Sequence, residues 1–377
     1  MKVPFNRPTV APQQLEYVNQ AFSNGHLSGD GPFTARASKM LSELHNGSKV
    51  LLTTSCTSAL ELSALLLDLE PGDEVIVPSF TFVSSANAFV IMGATIVFAE
   101  VEPDTFSIST RTVEKLITPR TKAIVAVNYG GHPSVTDELV ALAGQHNIVI
   151  IEDNAHGLFA SDEGIPLGTK SALSTLSFHE TKNITCGEGG ALVINDPSLI
   201  ERAEIIREKG TNRSLFFRGM IDKYTWVDKG SSYLMSDINA AVLTAQLEHA
   251  EVIQQRRHQA FQAYMEGLSD WADKIGAQLP HHLAREDRPA HLFPILMPSL
   301  HSRTELINFA KERSIGLTFH YVPLHYSPAG LNFGQVLGDL SQTKRISDSL
   351  LRLPLFSGLQ DQDIDLIIET ISGFDIG

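Results

Sequence analysis

At 377 residues, with 43% hydrophobic and 19% charged residues, the chain has room for roughly two to three domains and is too apolar to be disordered. Asp and Glu total 43 against 29 Lys and Arg, and the formal charge of −14 opposes nonspecific binding to nucleic acid or anionic lipid. Cys56 and Cys186 are too few for a disulfide framework, Met1–Asn6 lacks the apolar core of a signal peptide, and no run is long and apolar enough to span a bilayer. The expectation is therefore a cytoplasmic protein with no membrane partner.

From Lys49 to Asn195, seven short β-branched runs alternate with helical patterns. The runs are Val50–Leu52, Glu74–Val77, Thr95–Phe98, Ala123–Val127, Ile148–Ile151, Leu173–Phe178 and Ala191–Ile194. Strands that are apolar on both faces and separated by helices predict an α/β fold whose mostly parallel sheet of about seven strands is covered on both sides. Helices are predicted over Ser58–Leu67, Asp137–His146 and Ser198–Lys209, the last stopped by Gly210.

Ser236 to Leu268 has no proline and one late glycine, which predicts one long helix or a kinked pair bridging two domains. Beyond it the pattern changes to α+β, with a strand over His291–Met297 and helices over Arg303–Ser314 and Gln360–Phe374. The expected division is a large domain over 1–250 and a smaller C-terminal α+β domain over 251–377.

Two segments carry the chemistry. Ile148–Ile151 runs into Glu152-Asp153-Asn154-Ala155-His156, which places Asp153 at a strand's carboxyl end, where open α/β sheets bind ligands. Ser177-Phe178-His179-Glu180-Thr181-Lys182 then delivers one lysine beside a serine. Pyridoxal phosphate (PLP) needs both, a lysine for its Schiff base and a carboxylate for its pyridine nitrogen. Taken singly, Lys182 fits a solvated loop lysine and Asp153 a helix N-cap; their order and setting favour the cofactor site.

Thr54 to Ala59 joins a strand to a helix and offers clustered hydroxyls and unpaired N–H groups at the helix's positive end, as phosphate binding requires. Ser177 adds a hydroxyl, and Phe82, just after another strand, is placed either to stack on a ring or to pack in the core. Gly187–Gly190 precedes a strand, so it marks a tight turn and not a dinucleotide or P-loop motif. The pairs His281/His282 and His320/His325 have no recognised ligand spacing, and no metal site is expected.

These residues resemble the DegT/StrS family of nucleotide-sugar aminotransferases, a branch of the aspartate aminotransferase-like fold (PLP fold type I). The resemblance runs through Pro4–Asn6, Gly29–Gly31, Ser55–Ala59, Pro78–Asn87, Glu152–His156, Ser177–Asn183, Gly187–Gly190, Ser236–Ala241 and His320–His325. It implies that Lys182 carries PLP, that Asp153 faces the pyridine nitrogen, that His156 and Phe82 flank the ring, and that Thr57, Ser58 and Ser177 contact the phosphate. A homodimer with shared active sites is also implied, with Ser232 standing where a partner-chain Asn commonly reaches the phosphate. A related dehydratase subgroup has histidine at the lysine position, and Lys182 argues against it.

The implied substrates are L-glutamate and a dTDP-linked keto-deoxysugar. The runs Arg207–Ser214, Phe216–Gly219 and Asp222–Trp226 resemble a branch acting at C4 of such sugars in surface-polysaccharide synthesis. Chemistry at another keto position or on another nucleotide sugar is the alternative, as is a non-catalytic PLP-fold binding or regulatory protein. His320, His325, Arg213 and Lys223 are the candidates for holding the sugar diphosphate or the glutamate carboxylates.

Overall fold

The computed structural model describes residues 2–376. Its strands are β1 (Lys49–Thr53), β2 (Glu74–Pro78), β3 (Thr95–Ala99), β4 (Thr121–Val127), β5 (Val149–Asp153), the small hairpin β6 (Ser161–Asp162) and β7 (Ile165–Pro166), β8 (Leu173–Ser177), β9 (Gly190–Ile194), β10 (Phe293–Leu296), β11 (Thr318–Phe319), β12 (Gly334–Val336) and β13 (Leu350–Leu353). Eight of them form one sheet in the order β1-β9-β8-β5-β4-β2-β3-β12. β9 runs antiparallel to both neighbours, and the remaining pairs are parallel.

All seven predicted strands are present, and the reason is visible in their packing. Val75 and Val77 of β2 join one buried cluster while Ile76 joins another, and Ile96 and Val97 of β3 divide in the same way. Each strand is therefore buried on both faces, which is what a continuous apolar run requires. The eighth strand, β12, was not predicted. It is three residues long, has no apolar run, and is held by parallel pairing of Gly334 with Ile96.

Parallel strands end on the same sheet edge, and this places the site. The register Val127↔Asp153 and Asp153↔Thr175 brings the ends of β4, β5 and β8 together. Gly190 stands opposite both Thr53 and Ser177, so the start of β9 lies at the same edge. Here glycine is obligatory: a Cβ on Gly190 would come within 2.3 Å of Cys56 N and the Ser55 carbonyl carbon, both backbone atoms. Gly190→Ala is expected to cost on the order of 1–3 kcal/mol in thermal stability and to displace the start of the Cys56–Leu66 helix. An unchanged melting temperature would count against that crowding.

The Ser236–Leu268 expectation resolves into two helices, Asp237–Glu248 and Ala250–Ile275, broken at His249. Ser236 caps the first, and a left-handed Gly276 ends the second. Beyond them, β10, β13 and β11 form a three-stranded antiparallel sheet. Against it lie the helices Leu300–Glu312, Ser341–Ser349 and Asp361–Ser372. The predicted helix at Arg303 starts earlier because Ser299 caps it, accepting the Ser302 N–H at 3.1 Å.

Two segments cross residue 250 in space: β12 joins the large sheet from the C-terminal part, and Val3 bridges to Ile315. The core beneath the C-terminal sheet includes Tyr264, Phe293 and Leu351 and continues into Phe80, Phe106 and Tyr129. No helix among the described residues is long and apolar enough to cross a membrane.

Candidate active site

Lys182 sits in the loop after β8. That loop is closed by the Phe178 N–H donating to Gly189 O at 2.8 Å and by the Cys186 N–H donating to Phe178 O at 3.0 Å. Its amine reaches a cleft of about 670 Å³, a size suited to a small-molecule cofactor and substrate. Among the described residues the amine has no hydrogen-bond or ion-pair partner. Burial pushes its pKa down from the ordinary 10.5 to about 8, against the opposing pull of the Asp153 carboxylate. Cys56 is itself kept a neutral thiol, pushed up to about 12 by burial.

Asp153 closes β5 and faces the same cleft. Its Oδ2 accepts from Ser85 Oγ at 2.6 Å and its Oδ1 from the Ala155 N–H at 3.2 Å. Behind it the adjacent Glu152 is buried and accepts from Asn128 Nδ2 (3.0 Å), the Gly168 N–H (2.9 Å) and Ser171 Oγ (2.9 Å). This fully bonded carboxylate fixes the end of the strand, and with it the direction of Asp153.

The Cys56–Leu66 helix points its first turn at the site. Ser55 caps it by accepting the Ser58 N–H at 3.0 Å, and Ser55, Thr57 and Ser177 line the cleft. Thr57 Oγ1 pairs with Ser84 Oγ at 2.7 Å. Ser58 does not line the cleft: its hydroxyl lies between Thr54 Oγ1 (2.8 Å) and Ser55 Oγ (3.0 Å), inside the capping network.

His156 and Phe82 both line the cleft. The His156 Nδ1 accepts from the Gly130 N–H at 3.3 Å, so its ring proton belongs on Nε2. Burial, and next Lys182, hold it well below the usual histidine range and hence neutral. Its ring packs on His291 at a centroid distance of 4.4 Å.

The four weaker candidates divide between the cleft and its surroundings. His320 lines the cleft, but burial keeps it neutral and its Nδ1 pairs with Tyr129 Oη at 2.8 Å, so it brings no charge to an anion. His325 is outside the cleft, its Nδ1 held by Ser79 Oγ at 2.6 Å. Arg213 is also outside it, paired with Glu208 at 2.7 Å and lying over the Phe217 ring. Lys223 is exposed and does not line the cleft of its own chain, and the same holds for Ser232.

Several lining residues were missed from sequence. Tyr321 holds φ at +38°, a strained value for a tyrosine, and stacks on His320 at 3.6 Å. Thr81, which lines the cleft, and the buried Ser85 behind it form a hydroxyl chain to Asp153, with 2.8 Å between their oxygens. Arg352 lines the cleft from β13, and its one signal was a single cation inside the apolar run Leu350–Leu353.

An unpartnered, partly neutral lysine amine, a carboxylate across the cleft and a hydroxyl-rich helix start form the donor set that PLP requires, and the residues present fit it. Residues 8–372 match the model of the DegT/DnrJ/EryC1/StrS aminotransferase family. The uncharacterized protein MJ1066 of Methanocaldococcus jannaschii is 30% identical over 372 residues, covering 97% of this chain and 95% of that one.

Among solved structures, Spr1654 of Streptococcus pneumoniae in its PMP-form is 27% identical, with a TM-score of 0.89 and 98% of each chain covered; it has also been solved in a PLP-form. Helicobacter pylori PseC, an aminotransferase of pseudoaminic acid biosynthesis, is 25% identical, with a TM-score of 0.88 and 98% of each chain covered. With the lysine, carboxylate and helix start in one cleft of a type I aminotransferase fold, this chain belongs to the DegT/DnrJ/EryC1/StrS aminotransferase family and is a PLP-dependent aminotransferase.

Proposed function

We propose that this chain transfers an amino group from L-glutamate to C4 of dTDP-4-dehydro-6-deoxy-D-glucose, giving dTDP-4-amino-4,6-dideoxy-D-galactose. That is the activity of the dTDP-4-amino-4,6-dideoxygalactose transaminase of enterobacterial common antigen synthesis. The finer assignment rests on the resemblance of Arg207–Ser214, Phe216–Gly219 and Asp222–Trp226 to that enzyme. The observation that carries the reaction class is the Lys182 amine, buried without a partner in the same cleft as Asp153.

PLP, when bound, supplies an electron sink that acidifies the carbon bearing the amino group. Lys182 holds the cofactor covalently between turnovers. Its Nζ then takes the proton from the donor's α-carbon in one half-reaction and delivers a proton to the sugar's C4 in the other. Asp153 would keep the pyridine nitrogen protonated, and Ser85 and the Ala155 N–H hold its carboxylate in place. Thr57, Ser177 and the first turn of the Cys56–Leu66 helix bind the phosphate. Neutral His156 and Phe82, both lining the cleft, would flank the ring.

The large part spans 1–250 and the small part 251–377, with the cleft lined from both. A cytoplasmic homodimer accounts for the exposed aromatic stretch around Phe217 (68% exposed) and Trp226 (78%), and it would bring Ser232 toward the partner's phosphate site.

The test is the absorption spectrum of the PLP-loaded protein. L-glutamate alone is expected to convert the lysine-bound band to the pyridoxamine form, and the dTDP-4-keto sugar to restore it. Restoration by the 3-keto isomer alone would move the chemistry to C3. A spectrum unchanged by glutamate would remove the donor assignment.

A further inference from the structure

Asn183 follows Lys182 directly and is buried. Its side chain bonds only to residues beyond 250: Nδ2 donates to Pro289 O at 2.7 Å and to Gln254 Oε1 at 3.3 Å, and Oδ1 lies 2.7 Å from His291 Nδ1. A carbonyl can only accept, so Pro289 O fixes which way round the amide sits, and Oδ1 in turn accepts from His291. The His291 proton is therefore on Nδ1. Burial, and then the neighbouring His156, Lys182, Arg257 and Arg352, all disfavour a charge on this ring, which stays neutral.

The backbone of His291 is held as well. Arg257, buried in the Ala250–Ile275 helix, donates from Nε to Ala290 O at 3.0 Å and from Nη2 to His291 O at 2.5 Å. No carboxylate among the described residues forms an ion pair with this arginine, and burial pulls its pKa down to about 9. A desolvated cation that spends its donors on two carbonyls is costly. It fixes the carbonyl of Ala290, whose φ of +44° is strained for an alanine, and that of His291 after it. With backbone and Nδ1 both held, the His291 ring meets the His156 ring at 4.4 Å between centroids, with 35° between their planes.

We propose that His291 is a positioning residue that backs the His156 ring and ties the Lys182 loop to the C-terminal part, so that one imidazole keeps cofactor ring and lysine amine in register. The inference rests on the reading that Lys182 carries PLP and His156 flanks its ring, and adds what holds those two together. The two tasks use different parts of the side chain. The ring face stops His156 from retreating out of the cleft, and the Nδ1–H bond to Asn183 limits the travel of the Lys182 backbone one residue away.

The tasks separate chemically. His291→Asn puts an amide N–H in place of Nδ1–H and removes the ring, while His291→Phe keeps a ring against His156 and removes the donor. On these variants and Asn183→Ala the test measures the visible circular dichroism of the cofactor band per bound PLP, the rate of PLP capture by cofactor-free protein, and kcat and KM for the L-glutamate half-reaction. His291→Asn is expected to lower the dichroism at least about twofold and leave capture within about twofold of wild type. His291→Phe and Asn183→Ala are expected to do the reverse, with capture slowed about tenfold, and their double variant no slower than either, because both break one bond. In all of them kcat falls about tenfold or more and KM stays within about threefold.

Wild-type dichroism in His291→Asn, capture losses that add in the double variant, or a raised KM with unchanged kcat overturns the proposal. If His291→Phe fails to fold, Asn183→Ala is judged by the same capture and kcat criteria. A Lys182→Ala protein that still forms the lysine-bound band overturns the cofactor reading itself, and this proposal with it.

Discussion

Replacing Lys182 with alanine is expected to lower transamination by at least about 10⁴-fold, the upper end of what one positioned acid–base group contributes. Both roles of this residue, attachment and proton transfer, belong to one amine, and no other lysine among the described residues lines the cleft. Folding should survive, because the variant removes a buried group that forms neither a hydrogen bond nor an ion pair with any described residue. A melting temperature close to that of wild type, together with lost single-turnover activity, is the expected pair of results. Retained transamination would sink the assignment.

The same residue gives a pH dependence with a definite sign. Burial disfavours the charged amine, so the neutral form becomes half-populated near pH 8 and not near 10.5. The rate at which the cofactor-free protein captures PLP should rise about tenfold per pH unit below about 8 and level off above it. At neutral pH the reactive fraction is on the order of a few hundred-fold larger than for a solvated lysine. Capture that kept rising to pH 10 would show that Lys182 is hydrated and not buried.

Asp153→Asn is expected to reduce turnover by roughly 10²–10³-fold while leaving PLP bound, since the substitution keeps the shape and removes the charge. The Ser85 hydroxyl at 2.6 Å can still donate to the amide oxygen, so the side chain stays in place. What is lost is the anion that holds the pyridine nitrogen protonated. Both half-reactions should slow together, because the same ring nitrogen serves both. Slowing of only one half-reaction would place Asp153 somewhere other than at the ring nitrogen.

Much of the scaffold was legible locally. The runs at Glu74–Val77 and Ala123–Val127 read as strands because a sheet covered on both faces needs apolar residues at every position, and periodicity reports that directly. Lys182, Asp153 and the helix start at Ser55 were legible for a related reason. Parallel strands deliver the residues that follow them to one edge, so three segments far apart in sequence had to meet there.

The choice among polar residues was different. His325 and Arg213 carried suitable chemistry, yet Ser79, 246 positions away, holds the first, and Glu208 holds the second. Arg352, by contrast, looked like one cation in an apolar strand and emerged as a charged wall of the cleft. Likewise β12, three residues with no apolar run, exists because β3 offers it a free edge. By itself, then, the sequence determined the strands, the sheet edge and the lysine–aspartate pair, because these follow from short-range pattern and strand direction. Tertiary structure alone decided which charges remain unpaired in the cleft, because whether a polar group is satisfied depends on partners that sequence distance does not reveal.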